Sequence, residues 1–252
     1  EIIDSRFWDE NAGLLRDEFT RDWKPFSTYR GMNANMHGAE AFLAAFRATG
    51  ERVHLKRAGQ ILDFFLGEMA PRHGWRIPEH YSEDWRPDPD YVGNPMFRPS
   101  GTTPGHSLEF ARLQIEHWLA SGKPGGSTVH RARRVLEQAL EDAWRADGGL
   151  VYTLDRDGRP AVRDRYWWPV TAGIGALAAM ISVEGRSSDE EWYRRLWQFA
   201  DARLIDHECG GWHPELDENG LPVERMFRGK PDIYHSLQAA LFPAGAADAQ
   251  PR

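Results

Sequence analysis

Apolar and polar residues follow two patterns along this chain, and both patterns predict helices. In the first pattern a single apolar stripe runs between charged residues, over 51–70, 128–144 and 188–205. It predicts three amphipathic outer helices that each bury one face. In the second pattern apolar residues occupy most positions, as in 41–46 and 174–181. A helix of this kind packs on several sides, which predicts inner helices.

The two kinds of helix belong to an internal repeat. Similar short segments begin four inner helices, with residues 37, 106, 169 and 235 at equivalent positions. The repeating unit is about 66 residues long, as expected of a repeat architecture. Each outer helix is followed by a glycine and a short extended patch, and two of the three patches lead into an Asp-Gly or Asn-Gly pair. Such pairs are typical of tight turns, so we expect small β-hairpins between successive helical pairs.

An inner helix, an outer helix and a hairpin, repeated, describe an all-α fold of the α/α-toroid type. A further helix is predicted over 5–19, which gives about eight helices in all. A closed ring of six helical hairpins has twelve, so the ring is predicted to be incomplete, with the other helices before Glu1. The alternative is a curved open array covered by a second chain, as in a homo-oligomer. In this prediction residues 1–243 form the partial barrel and residues 244–252 a flexible tail.

Charge and composition narrow the class of partner. The 252 residues include 31 Lys and Arg against 38 Asp and Glu, a net charge of −7. A negative field disfavours nucleic acid and anionic membranes, so neither is expected as a partner. Apolar runs stay below the roughly 18 residues that would cross a bilayer. The single cysteine, Cys209, cannot form an internal disulfide, which favours a cytoplasmic location.

Tryptophan is unusually frequent, with 11 residues. Several lie beside glycine, proline, histidine or acidic residues, as in Trp167-Trp168-Pro169, rather than within apolar runs. An indole stacks on flat apolar faces while its N–H keeps a hydrogen-bond partner. Sugar rings offer such faces, although a large helical core would also use tryptophan. A small neutral partner such as a sugar is therefore favoured over a charged polymer.

Three of the four equivalent positions place an imidazole and a carboxylate or amide on one face of the first helical turn. The pairs are His37 with Glu40, His106 with Glu109, and His235 with Gln238, whereas Pro169 and Ala172 break the series. Inner helices of a toroid start at the same end of the ring, so we expect the three histidines to converge on one pocket. Imidazoles transfer protons near neutral pH, and sugar isomerisation through an enediol needs such groups.

Each histidine also has a structural interpretation, because a lone histidine at a helix start is often a cap or a hydrogen-bonded core residue. Three histidines in one pocket could instead hold zinc and leave a position open for water. The chain lacks the i, i+4 histidine pair and the cysteine ligands that usually accompany such a site. We therefore expect a reaction that uses neither a metal nor another cofactor.

Three segments of the chain resemble signature segments of the N-acylglucosamine 2-epimerase superfamily. They are residues 33–37, 98–109 and 229–235, the second of which contains Thr103-Pro104-Gly105-His106. The likeness extends over essentially the whole chain and is greatest to the aldose–ketose isomerase branch, which contains mannose and sulfoquinovose isomerases. This resemblance implies an (α/α)6 barrel, of which the chain matches the C-terminal three-fifths.

The same resemblance implies roles for individual residues. It makes His235 the group that moves a proton between carbons 1 and 2 of a monosaccharide, and His106 the group that assists ring opening and protonates the enediol. Glu109 would orient His106. The substrate-binding residues that it implies are His37, Arg98, Trp168 and Asn35. Arg98 has an alternative role in a structural salt bridge.

Two positions bear on substrate and activity. The family usually has a pocket glutamate where this chain has Ala172, so either the residue was engineered or the activity has drifted. A sulfonate group would need clustered arginines, whereas Arg98 has Met96 two residues before it, which favours a neutral hexose. The resemblance implies conversion of mannose to fructose. The alternatives are a 2-epimerase of N-acylglucosamine or cellobiose type, and an inactive carbohydrate-binding remnant.

Overall fold

A computed structural model describes the backbone of residues 1–248 and the side chains of residues 1–242, and most of its residues lie in helices joined in pairs. The inner helices are α1 (Met32–Thr49), α4 (Pro104–Ala120), α6 (Trp167–Glu184) and α8 (Ile233–Asp248). The outer helices are α2 (Arg52–Leu62), α5 (Thr128–Ala143) and α7 (Ser187–Phe199). Further turns extend two of the outer helices: π-helical Asp63–Met69 and α3 (Ala70–Arg72) follow α2, and π-helical Ala200–Leu204 follows α7.

The burial of these helices agrees with the two sequence patterns. Every residue of α4 from 104 to 115 is buried, because this helix packs against α1, α5 and α6. In α5, by contrast, the buried residues Ala132, Leu136 and Leu140 recur four apart on one face. The predicted fold of inner and outer helices is therefore confirmed.

Two hydrophobic clusters hold the helical pairs together. One cluster lies between α4, α5, α6 and α7 and includes Leu108 and Leu177. The other joins α1 and α2 to the N-terminal segment and includes Met36 and Ile61. Full burial of one such side chain stabilises the fold by about 1.5–3 kcal/mol.

The prediction of a helix over residues 5–19 is wrong. Only Ile3–Phe7 is helical there, as a π-helical turn. It leads into an antiparallel hairpin of β1 (Trp8–Asp9) and β2 (Leu14–Leu15). The Asp9 carboxylate accepts the N–H groups of residues 11 and 12 at 3.0 and 3.3 Å, and Gly13 has a φ of 67°, which glycine adopts without strain. Within residues 1–248 the chain thus has four inner and three outer helices rather than eight.

Short strands close each helical unit beside the first turn of its inner helix. In the first unit β3 (Arg30–Gly31) pairs with β4 (His80–Tyr81), and a bridge between Thr102 and Leu154 occupies the same place in the second. The segment after each outer helix therefore pairs with the segment that leads into the inner helix of the same unit. We call this pairing a β-clasp.

The predicted hairpins are present in reduced form. In the second unit β5 (Thr153–Leu154) and β6 (Pro160–Val162) form a local hairpin. The third unit has the β-clasp of β7 (Arg165–Tyr166) with β8 (Glu215–Leu216), and its local turn is closed by one bridge from Leu216 to Pro222. The clasps were not predicted, because strands of two residues are too short to show an alternating pattern.

Helix α8 continues to Asp248, so its backbone is helical over part of the segment predicted as a flexible tail, 244–252. Residues 249–252 lie outside the described part of the chain. No helix within residues 1–248 combines the length and the apolar character needed to cross a membrane.

Candidate active site

His106 lies in the first turn of α4, which begins with Pro104. Its imidazole is buried, and its Nδ1 lies 3.0 Å from Glu79 Oε2 and 3.1 Å from Glu79 Oε1. Because an ionised carboxylate only accepts hydrogen bonds, Nδ1 carries a proton. Burial alone would lower the pKa of His106, but the charge of Glu79, with a smaller contribution from Glu109, raises it above its usual value.

The carboxylate that contacts His106 Nδ1 is thus Glu79 rather than the predicted Glu109. Glu79 immediately precedes β4, and its Oε1 also accepts the backbone N–H of Thr103 at 3.0 Å. Glu109 is buried one turn further along α4, and a role for it toward the substrate stays a prediction. Sequence reasoning missed Glu79 because an extended segment has no helical spacing that relates it to His106.

His235 lies in the first turn of α8. Its Nδ1 is 3.1 Å from Asp232 Oδ1 and 3.3 Å from Asp232 Oδ2, and its backbone N–H donates to the same carboxylate at 3.2 Å. The ring meets Trp167 edge-on, with centroids 5.7 Å apart. A side chain that is 20% exposed remains accessible to a small molecule. His235, like His106, therefore has its Nδ1 held by a carboxylate.

The Trp168 ring lies close to both histidines. Its ring centroid lies 4.9 Å from that of His106 and 6.1 Å from that of His235. The close approach to α4 requires a glycine, because a Cβ at Gly105 would lie 2.3 Å from Trp168 Cζ3. Both imidazoles therefore lie next to the indole of the predicted binding residue Trp168, and their joint action on one substrate stays a prediction.

His37 joins the same end of the array through Glu40. Its Nδ1 lies 3.4 Å from Glu40 Oε2, and its side chain is 47% exposed. Glu40 also accepts hydrogen bonds from Arg112 at 2.9 Å, from Gln238 at 3.2 Å and from the Tyr234 hydroxyl. Burial raises the pKa of Glu40, but the hydrogen bond from His37, the charge of Arg112 and the hydrogen bonds from Tyr234 and Arg112 hold it well below its usual value. Glu40 thus links α1 to α8.

Arg98 is engaged in a structural ion pair. Its Nη1 and Nη2 lie 3.3 and 3.1 Å from the Glu18 carboxylate oxygens, and its guanidinium lies 4.1 Å from the centroid of the Tyr29 ring. Both contacts favour the alternative, structural role of Arg98. A contact of Arg98 with substrate stays a prediction.

Asn35 has a structural role in the described contacts, and its role in substrate binding stays a prediction. The side chain is fully buried, and its Oδ1 accepts the Leu15 N–H at 2.7 Å. Its Nδ2 donates to the backbone oxygens of Leu15 and Gly31, both at 3.0 Å. These hydrogen bonds fasten the β1–β2 hairpin to α1.

We expect Asn35→Ala to lower the free energy of unfolding by about 1–3 kcal/mol, because it leaves buried backbone groups of residues 15 and 31 without partners. Urea denaturation followed by circular dichroism measures this loss. The exposed Asn11 provides a control, since Asn11→Ala should change stability by less than about 0.5 kcal/mol. Unchanged stability of the Asn35 variant together with weaker sugar binding would contradict the structural role and support the predicted role in substrate binding.

Ala172 is buried in the core cluster of α4, α5 and α6. It occupies the repeat position that Glu40, Glu109 and Gln238 fill in the other inner helices. The first turns of α6 therefore carry the indole of Trp168, but the methyl group of Ala172 supplies neither the carboxylate nor the amide found at this position in the other inner helices.

An aromatic wall adjoins the two histidines. Its buried members are Tyr152, Tyr166, Trp167 and Trp168, and Phe227 packs on it with its centroid 5.1 Å from that of Trp167. The loop that carries Phe227 is held by Glu215, whose Oε2 accepts the N–H groups of residues 225, 226 and 227 at 3.2, 2.8 and 3.4 Å. The tryptophan-rich composition predicted such a surface, but the roles of Glu215 and Phe227 had no sequence signal.

The helical pairs, the clasps and the burial pattern define a protein of the α/α-toroid class, with carboxylate-held imidazoles at the starts of two of its inner helices. The chain belongs to the N-acylglucosamine 2-epimerase (GlcNAc 2-epimerase) family, whose sequence profile matches residues 1–239. The family resemblance of the three signature segments is thereby confirmed.

Relatives in this family are D-mannose isomerases. The chain is 40% identical over 252 residues to the D-mannose isomerase of Pseudomonas cannabina pv. alisalensis, and 41% identical over 248 residues to that of Thermobifida fusca. Each match covers 96% of this chain and 61% of the relative. The chain thus spans about three-fifths of the length of these relatives.

Solved structures show the same fold. A crystal structure of D-mannose isomerase matches with a TM-score of 0.90 at 31% identity, over 97% of this chain and 63% of the other. The cellobiose 2-epimerase of Spirochaeta thermophila matches with a TM-score of 0.79 at 22% identity, over 98% of this chain and 62% of the other, which shows a shared fold alone. The predicted barrel type agrees with both.

Proposed function

We propose that this chain is the histidine-bearing part of an aldose–ketose isomerase that converts mannose to fructose. The observation that supports the proposal is the approach of both His106 and His235 to the Trp168 ring, with centroids 4.9 and 6.1 Å away. Two imidazoles beside one indole supply a general acid, a general base and a flat face for a sugar ring. The likeness to D-mannose isomerases supports the choice of substrate.

In the proposed reaction the proton transfers balance without a cofactor. His235 removes the proton from carbon 2, the carbon 1–carbon 2 double bond forms, and His106 protonates the carbonyl oxygen of carbon 1 to give the enediol. His235 then returns its proton to carbon 1, while His106 takes back the proton of the carbon 2 hydroxyl to leave the ketose. Both imidazoles end in the form in which they began.

The main alternative is a 2-epimerase, which returns the proton to carbon 2 instead of carbon 1. The family to which the chain belongs favours this alternative, and the same two histidines would serve both reactions. The product formed from mannose separates them, because an isomerase gives fructose and an epimerase gives glucose.

Two further features belong to the proposal. We propose a neutral hexose rather than a sulfonated sugar, because Arg98 is already paired with Glu18. We also propose a cytoplasmic protein, since Cys209 is the single cysteine of this sequence and suits a reducing compartment.

The proposal is tested by incubating mannose with the chain in D2O and following the sugars by NMR. We expect fructose that carries deuterium at carbon 1, because the proton held by the base exchanges with solvent. A chelator should leave the rate unchanged if the reaction is free of metal.

Two additional proteins make this assay decisive. One is a chimera that adds the first two-fifths of the Pseudomonas relative to this chain, and the other is the same chimera with Ala172→Glu. Sugar binding by calorimetry without any product in all three proteins would identify a carbohydrate-binding module and overturn the proposal. Activity that a chelator abolishes would overturn the metal-free mechanism.

A further inference from the structure

We infer that Glu79 is the positioning residue that fixes the tautomer of His106, so that Nδ1 keeps its proton and Nε2 is the nitrogen offered to substrate. The role rests on the contact of both Glu79 oxygens with Nδ1, at 3.0 and 3.1 Å. It deepens the proposed function, since His106 is the acid of that reaction. Neither the sequence pattern nor the family likeness pointed to Glu79.

Glu79 is held rigidly enough for this role. Glu79 is only 4% exposed, and its Oε1 accepts the Thr103 N–H at 3.0 Å. Thr103 is the N-cap of α4, the helix that carries His106 three residues later. One carboxylate therefore fixes both the start of the helix and the imidazole, which limits their relative movement.

The residue after Glu79 fastens the segment from the other side. His80 lies in β4, and its Nε2 is 2.8 Å from the Pro99 carbonyl oxygen, to which it donates. Its Nδ1 then accepts from the Tyr29 hydroxyl at 2.9 Å. The β-clasp of the first unit adds backbone pairing between β3 and β4. Contacts on both sides of the strand thus prevent Glu79 from moving away from His106.

The consequence for catalysis is a histidine that exchanges one proton at one nitrogen. With Nδ1–H committed to Glu79, His106 gives a proton to a substrate oxygen from Nε2 and takes one back at the same atom. Carboxylate–imidazole pairs also stabilise the doubly protonated ring, which agrees with the raised pKa of His106. Trp168 packs against the same ring and restricts its rotation.

The inference is tested on the chain itself, without sugar, by 15N NMR of protein labelled at histidine. Above its titration midpoint, His106 should show the shifts of a protonated Nδ1 and an unprotonated Nε2. Finding the Nε2–H tautomer in the parent protein would overturn the inference without any variant. Glu79→Gln should move the His106 midpoint to lower pH and remove the single-tautomer signature.

The controls separate positioning from general loss of structure. Asp232→Asn removes the carboxylate beside His235 and should leave the His106 tautomer and midpoint unchanged, and Glu79→Asp keeps the charge and should restore the tautomer in part. Thermal unfolding shows that each variant is folded. An unchanged His106 midpoint in a folded Glu79→Gln protein would overturn the inference, whatever the isomerase assay gives, because the two measurements are independent.

Discussion

Replacing His235 with asparagine should lower fructose formation from mannose by about 10²–10⁴-fold, the usual contribution of a general base. The expected loss is large because His235 is the proposed group that takes the proton from carbon 2. The fold should survive, since the ring is partly exposed and its hydrogen bonds go to Asp232 alone among the described contacts. The rate is measured in the active form identified by the mannose assay, with circular dichroism to confirm the helical content.

A matched histidine provides the control for this experiment. His207 is exposed and contacts the backbone oxygen of Asp201 at 2.9 Å, away from the inner helices. We expect His207→Asn to retain the parent rate. If His235→Asn also retained it, the base would have been assigned to the wrong residue, and His37 would become the next candidate.

Arg112→Met should lower the free energy of unfolding by about 3–5 kcal/mol, the typical effect of removing one partner from a buried ion pair. The Arg112 side chain is 4% exposed and donates to Glu40 at 2.9 Å and to Glu116. Methionine keeps much of the volume of arginine but removes the buried cation that Glu40 and Glu116 share, so that Glu116 keeps only the exposed Arg47. The guanidinium also lies 4.4 Å from the centroid of the Phe242 ring, so α8 loses a contact as well.

Arg47 is the natural comparison for Arg112, because it donates to the same Glu116 at 2.9 Å from an exposed position. An exposed pair contributes little, so Arg47→Met should cost less than about 1 kcal/mol. Urea denaturation of both variants measures the difference. Equal losses from Arg47→Met and Arg112→Met would contradict the argument that burial decides the effect.

The helices could be predicted because their packing leaves a periodic trace in the sequence. The buried face of α5 and the apolar length of α6 are both visible as spacing. The N-terminal hairpin was mistaken for a helix because its apolar residues have a helix-like spacing. Its turn depends instead on one carboxylate, Asp9, and on the left-handed conformation of Gly13.

The site could be predicted only where the repeat carries it. His106 and His235 occupy equivalent positions, so the repeat that predicted their helices also predicted that both histidines lie near the starts of inner helices. Glu79 and Asn35 show the limit of this reasoning, because each acts through contacts between segments with no shared period. A conspicuous residue in a signature segment, such as Asn35, can serve the scaffold.

The β-clasps lie on one face of the helical array, and this face and the opposite face tolerate different changes in sequence. At the clasp end, strands two or three residues long sit beside the residues that touch both imidazoles, so small changes there alter chemistry directly. The connections at the opposite end, residues 50–51, 121–127 and 185–186, contain none of the site residues described above. New substrate ranges can therefore arise from the clasp loops, and insertions or fusions can accumulate at the far end, while one helical scaffold is inherited unchanged.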